Sequence, residues 1–168
     1  MVQAAEGIAG DLQCINARSD GVATNPMFRE AFKRRRCIVP MSGFYEWRQM
    51  EDGKQPFFIS DADGGVLSCA GLWDNWKDRA TGETMRSATL IVTDANTFMS
   101  QIHDRMPVFL PPDKFEAWLD GSGGVDILTP APHGTLRAWP VSPPEASLGH
   151  CHRAWKSASL ASQGPARL

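Results

Sequence analysis

Three short stretches carry side chains able to do chemistry. In GFYEWR, Glu46 stands between aromatic residues. On a strand, Phe44, Glu46 and Arg48 share one face and Tyr45 and Trp47 the other. A carboxylate among apolar neighbours is expected to hold its proton more tightly, which suits general acid–base work. The competing reading is an exposed strand glutamate paired with Arg48. In IHDRMP, His103, Asp104 and Arg105 lie together in a connection. Histidine can move protons near neutral pH, and arginine can grip a phosphate through two parallel hydrogen bonds. Charged residues in a connection can equally be mere solvated surface. In QCINARSD, a strand would put Cys14, Asn16 and Arg18 on one face. Arg18, Arg105 and the basic run 34–36 could line a nucleic-acid backbone, with Trp47, Trp73 or Trp76 as stacking faces.

The elements that must position these residues follow from local pattern. A first strand is predicted over 14–18. TNPMFREAFKRRR, residues 24–36, predicts a helix capped by Thr24 or Asn25, with Pro26 in its first turn. Its basic end complements the helix dipole. CIVPMSGFYEWRQ (37–49) and QPFFIS (55–60) predict strands joined by a hairpin at 51–54. Strands are expected at 66–73, 85–93, 106–110 and 136–142. DANTFMSQI predicts a turn opening a short helix, capped by Asp94 or Asn96. PPDKFEAWLDG predicts a short helix with Phe115, Trp118 and Leu119 on one face and Gly121 at its end. The sum is an α+β chain, mainly β: a curved antiparallel sheet or open barrel with two or three short peripheral helices.

Composition narrows the classes. The chain has 168 residues, which suits one domain, 1–168, with a tail after Pro143 expected to be loose. A formal net charge of −2 gives no global basic signature, so nucleic-acid binding must rest on a local patch. The four cysteines (Cys14, Cys37, Cys69, Cys151) form no C-x-x-C pair, which argues against a zinc knuckle, a redox dithiol or a disulfide scaffold and suits a reducing cytoplasm. His150, Cys151 and His152 are adjacent in the tail, whereas a metal site draws ligands from several elements. No metal or cofactor is expected. No window has the apolar length of a membrane span, so a membrane partner is not expected either.

INARSD, RRRCIVPMSGFYEW and TDAN…IHDRMPVFL, in that order, resemble the SOS response-associated peptidase (SRAP) family of abasic-site processing proteins. WPVS resembles the family's closing strand, and the likeness spans roughly 14–142. The resemblance implies binding of single-stranded DNA and capture of the abasic aldehyde. The family's N-terminal cysteine does this through a thiazolidine, after self-removal of the initiator Met. Carried over, it makes Asn16 the residue that orients nucleophile and sugar. Glu46 becomes the acid/base of Schiff-base formation, and His103 the proton manager. Arg18 and Arg105 become phosphate contacts and Trp47 a DNA-site aromatic. Arg35 and Arg36 match a basic pair with a structural role.

Departures accompany the likeness. The chain opens Met1-Val2-Gln3, where the family has Met-Cys-Gly-Arg, and it reaches Asn16 without the family's roughly sixty preceding residues. Asp20 stands where the family has Glu. The expectation is therefore an N-terminally truncated SRAP-like domain. It binds abasic single-stranded DNA with impaired crosslinking and peptidase chemistry, and an unpaired sheet edge is open to self-association. Cys14 could form at most a thiohemiacetal, because its nitrogen lies in a peptide bond. The alternatives are a non-catalytic DNA-binding remnant, or a Cys/His hydrolase using Cys37, Cys69 or Cys151 with His103.

Overall fold

A computed structural model describes residues 16–77 and 81–142. Its strands form two sheets, and the mainly-β α+β class expected from the pattern holds. The first sheet runs β1 (Asn16–Arg18), β6 (Thr84–Asp94), β5 (Leu67–Lys77) and β2 (Arg36–Met41) in spatial order, with β7 (Arg105–Pro107) also paired to β6. The second runs β3 (Phe44–Met50), β4 (Gly53–Asp61) and β8 (Leu136–Pro140), all antiparallel. Among the described residues the sheets do not close into a barrel. One pair departs from the antiparallel expectation: β1 lies parallel to β6, Asn16 opposite Leu90 and Arg18 opposite Val92.

Alternation sets what each face sees. Ala17 is buried opposite Ile91, while Asn16 and Arg18 point to the other side of the sheet. The Ala17 face packs on Phe32 of α1 (Arg29–Arg34), Trp118 of α2 (Phe115–Asp120), Ala70, Leu72 and Val108. The Trp118 indole N–H donates to the Cys37 carbonyl at 2.8 Å, pinning α2 to β2. A second core gathers Ile59, Leu67, Met99, Met106 and Leu136, with Phe44 and Phe57 from the inner face of the second sheet.

Several expected elements change. The run 37–49 is two strands in different sheets, broken at Ser42–Gly43. A Cβ on Gly43 would run into the Ile59 carbonyl and the Phe58 ring, so only glycine lets the chain cross so near β4. The helix expected over 24–36 shrinks to Arg29–Arg34. The Asn25 side chain instead accepts the Met27 N–H at 2.9 Å, closing a turn that takes up the segment around Pro26. Arg36 has left the helix for β2. Leu119 is exposed rather than packed with Trp118. Asn96 does cap as expected, its Oδ1 accepting the Met99 N–H at 2.9 Å ahead of the 3₁₀ turn Met99–Gln101. Gly121 ends α2 at φ +86°, the left-handed conformation that glycine adopts freely. No helix among the described residues is long and apolar enough to cross a membrane.

Candidate nucleic-acid and proton-transfer site

Glu46 lies on β3 opposite Phe57, on the face turned to the second core, and is half-buried. His103 arrives from the other direction, between the Met99–Gln101 turn and β7. Its Nε2 sits 4.0 Å from Glu46 Oε1. That oxygen also accepts the Trp47 backbone N–H at 3.2 Å. Arg48 forms no ion pair with Glu46, so the paired-surface reading of the glutamate gives way to one facing His103.

The imidazole has a defined polarity. Its Nδ1 accepts the Arg105 backbone N–H at 3.0 Å and also lies 2.9 Å from Asp104 Oδ1. A neutral ring cannot serve both, because one needs a bare nitrogen and the other an N–H. The Arg105 amide is fixed in β7, whereas the Asp104 side chain is well exposed and free to turn away. On that ground the proton of the neutral ring is assigned to Nε2, on the side of Glu46. Protonation adds an Nδ1–H, which Asp104 then accepts.

The segment 103–105 joins this pair to the arginines. Arg105 stands opposite Asp94 in the β6–β7 register. Arg18 and Arg105 line one small pocket with Asp20, Asp94, Ser19, Val92 and Thr93. Arg18 is gripped by Asp20 through Nε at 3.1 Å and Nη2 at 2.8 Å, and lies 4.0 Å from Asp94. The hydrogen bond to Arg18 holds the Asp20 carboxyl below its usual range, and the same bond raises the Arg18 guanidinium further. Asn16 shares the Arg18 side of the sheet and is exposed. The structure thus pairs Glu46 with His103 and Arg18 with Arg105, the two pairs linked by three consecutive residues.

Other candidates go elsewhere. Trp47 is half-buried on the face of β3 opposite Glu46, so it does not lie under that carboxylate. Arg36 is no part of a basic stripe: it turns inward over the Phe32 and Trp118 rings, at 4.2 and 4.6 Å from their centroids. Arg35 pairs with Asp74 at 3.1 Å. Cys69 is fully buried, and burial, with Cys37 nearby, pushes its thiol up to about 12; burial also raises Cys37. A thiol so protonated is a poor nucleophile, which removes Cys69 from a Cys/His hydrolase. Cys14, His150, Cys151 and His152 lie outside the described residues. Sequence reasoning missed Asp94, whose only signal is the β6–β7 register. It noticed Asp20 without seeing that an Arg-x-Asp spacing can close a two-bond clamp.

Residues 3–144 match the family model described as SOS response associated peptidase (SRAP). The abasic site processing protein YoaM of Bacillus subtilis (strain 168) is 37% identical over 107 residues, covering 63% of this chain and 47% of its own. The abasic site processing protein HMCES of Xenopus tropicalis is 36% identical over 124 residues, covering 62% and 37%. The chain thus spans about half the length, or less, of these relatives. A crystal structure from Bacteroides thetaiotaomicron is similar with a TM-score of 0.71 at 34% identity, covering 76% of this chain and 58% of that one. One from Bordetella bronchiseptica gives 0.68 at 31% identity, covering 76% and 65%.

Proposed function

The chain belongs to the SOS response-associated peptidase family, and on that premise we propose that it processes abasic sites in single-stranded DNA as part of the response to DNA damage. The approach of His103 to Glu46 from separate elements, beside the Arg18–Arg105 pocket, carries the reading. An abasic sugar opens to an aldehyde. Adding an amine to it requires a proton delivered to the carbonyl oxygen and later a water expelled. Glu46 and His103, 4.0 Å apart, offer a proton acceptor and a proton donor for both steps. Arg18 and Arg105 take the flanking phosphates, Asn16 orients the sugar from the exposed side of β1, and Trp47 contacts the strand beyond β3. Phosphate displaces Asp20 or Asp94 from the guanidinium groups, so binding weakens as salt rises.

A second reading, retention of abasic DNA without covalent capture, is favoured by the thiols. Cys37 and Cys69 are both held protonated by burial. One experiment separates the two. The protein is mixed with single-stranded DNA bearing one abasic site and run on denaturing and native gels beside undamaged DNA and Cys14→Ala. A covalent adduct lost in Glu46→Gln supports the enzymatic reading, and its loss in Cys14→Ala names the thiol. Native retention without an adduct supports the binding reading. No retention of either DNA refutes both.

A further inference from the structure

The outer face of the second sheet carries a row of aromatic rings that the chemistry above does not use. Tyr45, Phe58 and Trp139 are direct cross-strand neighbours on β3, β4 and β8. Their ring centroids stand 5.0 and 5.2 Å apart. The outer two rings are open, Tyr45 being 49% and Trp139 41% exposed. Cross-strand aromatic pairs stabilise a sheet, and a row of them left open on one face also offers planar surfaces to a ligand.

Among the described residues the row has a cation and no anion. The Arg137 guanidinium lies 5.5 Å from the Trp139 ring centroid, and its Nε–H donates to Ser60 Oγ at 3.1 Å. Unlike Arg18, it is held by a hydroxyl, and no carboxylate of the described residues pairs with it. Alternation brings Lys54 and Trp47 to this same face.

The face also continues the site. Among the described residues β3 is an edge strand, so Glu46 on its inner side and Trp47 on its outer side lie one strand-thickness apart at an edge with no described neighbour. We propose that this aromatic row is a stacking platform for single-stranded nucleic acid. The abasic sugar sits at Glu46, and the strand bends around the β3 edge to lay about two neighbouring bases on Tyr45 and Trp139, with Arg137 at their phosphates. The inference rests on the proposed function and adds the path of the strand. Every base has a π-face, so the platform is indifferent to sequence, which suits lesions that occur in any context.

The test is fluorescence anisotropy with labelled single-stranded oligonucleotides of increasing length, undamaged and abasic. Trp139→Ala and Tyr45→Ala each weaken binding by about five- to a hundredfold, while Trp139→Phe and Tyr45→Phe stay within about threefold of the unaltered protein. Arg137→Gln weakens binding and makes its salt dependence shallower. Photocrosslinking with 5-iodouracil oligonucleotides on the unaltered protein guards against misfolded variants, and adducts at residues 45, 58 or 139 support the platform. Unchanged affinity in both alanine variants, with Arg18→Ala weakened, overturns the platform and leaves the proposed function standing. Adducts confined to the Arg18–Arg105 side do the same. No DNA binding by the unaltered protein overturns both. A dimer in sedimentation that Trp139→Ala dissolves, with DNA affinity unchanged, assigns the face to a second copy and overturns the platform.

Discussion

Replacing Arg36 by alanine should cost folding stability and leave DNA binding alone. The guanidinium donates to the Phe32 carbonyl at 2.6 Å, the Trp118 carbonyl at 3.3 Å and the Gly123 carbonyl at 2.6 Å. The first lies in the last turns of α1 and the second in α2, so one cation meets the negative ends of both helices. It also covers the Phe32 and Trp118 rings. Each hydrogen bond to a charged group is worth roughly 1.5–3 kcal/mol, and each ring contact about 0.5–2 kcal/mol. Against this stands desolvation, which lowers the Arg36 pKa despite the pull of Asp120. The net expectation for Arg36→Ala is a loss of about 3 kcal/mol, because three carbonyls lose their donor and two rings lose a cover.

Urea unfolding followed by tryptophan fluorescence measures it, with Arg34→Ala as the comparison. Arg34 is exposed in the last turn of α1 and should cost under about 0.5 kcal/mol. Arg36→Lys should recover little, since an ammonium cannot spread a planar fork over three carbonyls. Unfolding of Arg36→Ala at the same urea concentration as the unaltered protein would refute that cost, and a flattened salt dependence of DNA binding in the variant would put the guanidinium on a phosphate instead.

Glu46→Gln and His103→Ala should each slow adduct formation with abasic DNA by about a hundredfold or more while keeping affinity within about twofold; single-turnover gels at saturating protein read this, and an unchanged rate in either variant removes its proton-transfer role. Asp20→Asn should tighten single-stranded DNA binding roughly two- to fivefold at low salt by releasing Arg18 from its opposing charge; weaker binding, rescued by Asp20→Glu, would instead make the clamp essential for placing Arg18. Burial raises the Cys69 thiol from 9.0 to about 12 in the folded chain, so its contribution to stability is complete below pH 9.0 and is lost as pH rises towards about 12. Cys69→Ala should flatten the stability profile in that window, and equal slopes in the two proteins would refute the assignment. Gly43→Ala should destabilise by about 1–3 kcal/mol, because the new methyl meets the Ile59 carbonyl and the Phe58 ring; a neutral result in thermal unfolding would mean that β3 can shift away from β4.

Much of the candidate site's geometry was legible because its signals are local. Period-two alternation placed Glu46 and Trp47 on opposite faces, and β3 keeps them there. The cap signal of Asn96 placed the turn that presents His103. What stayed illegible depends on partners far along the chain. Residues 37–49 look like one strand, and the break at Gly43 is decided by a ring and a carbonyl from β4. The structural role that the resemblance implied for Arg36 holds, but its partners Trp118 and Gly123, some eighty residues on, have no signal in the run 33–36 itself. The aromatic row needs β8 beside β4, a pairing that joins Phe58 to Trp139.

The division of labour on β3 follows from these non-local pairings. An interior strand flanked on both sides would seal its two faces from each other, and its alternating residues would serve two separate environments. Among the described residues β3 is flanked on one side only, by β4. A ligand can therefore pass over its free edge and meet consecutive residues, Glu46 on one side and Trp47 on the other. A carboxylate and an aromatic ring adjacent in sequence would face two separate environments on a buried central strand. At an edge they sit one strand-thickness apart, a separation that a flexible single strand of nucleic acid can span and a stiff duplex cannot. Under the proposed function, a preference for single-stranded over duplex DNA would come from the topology of the second sheet rather than from any one contact. Annealing a complementary strand across the abasic site should then reduce binding more than Trp47→Ala does.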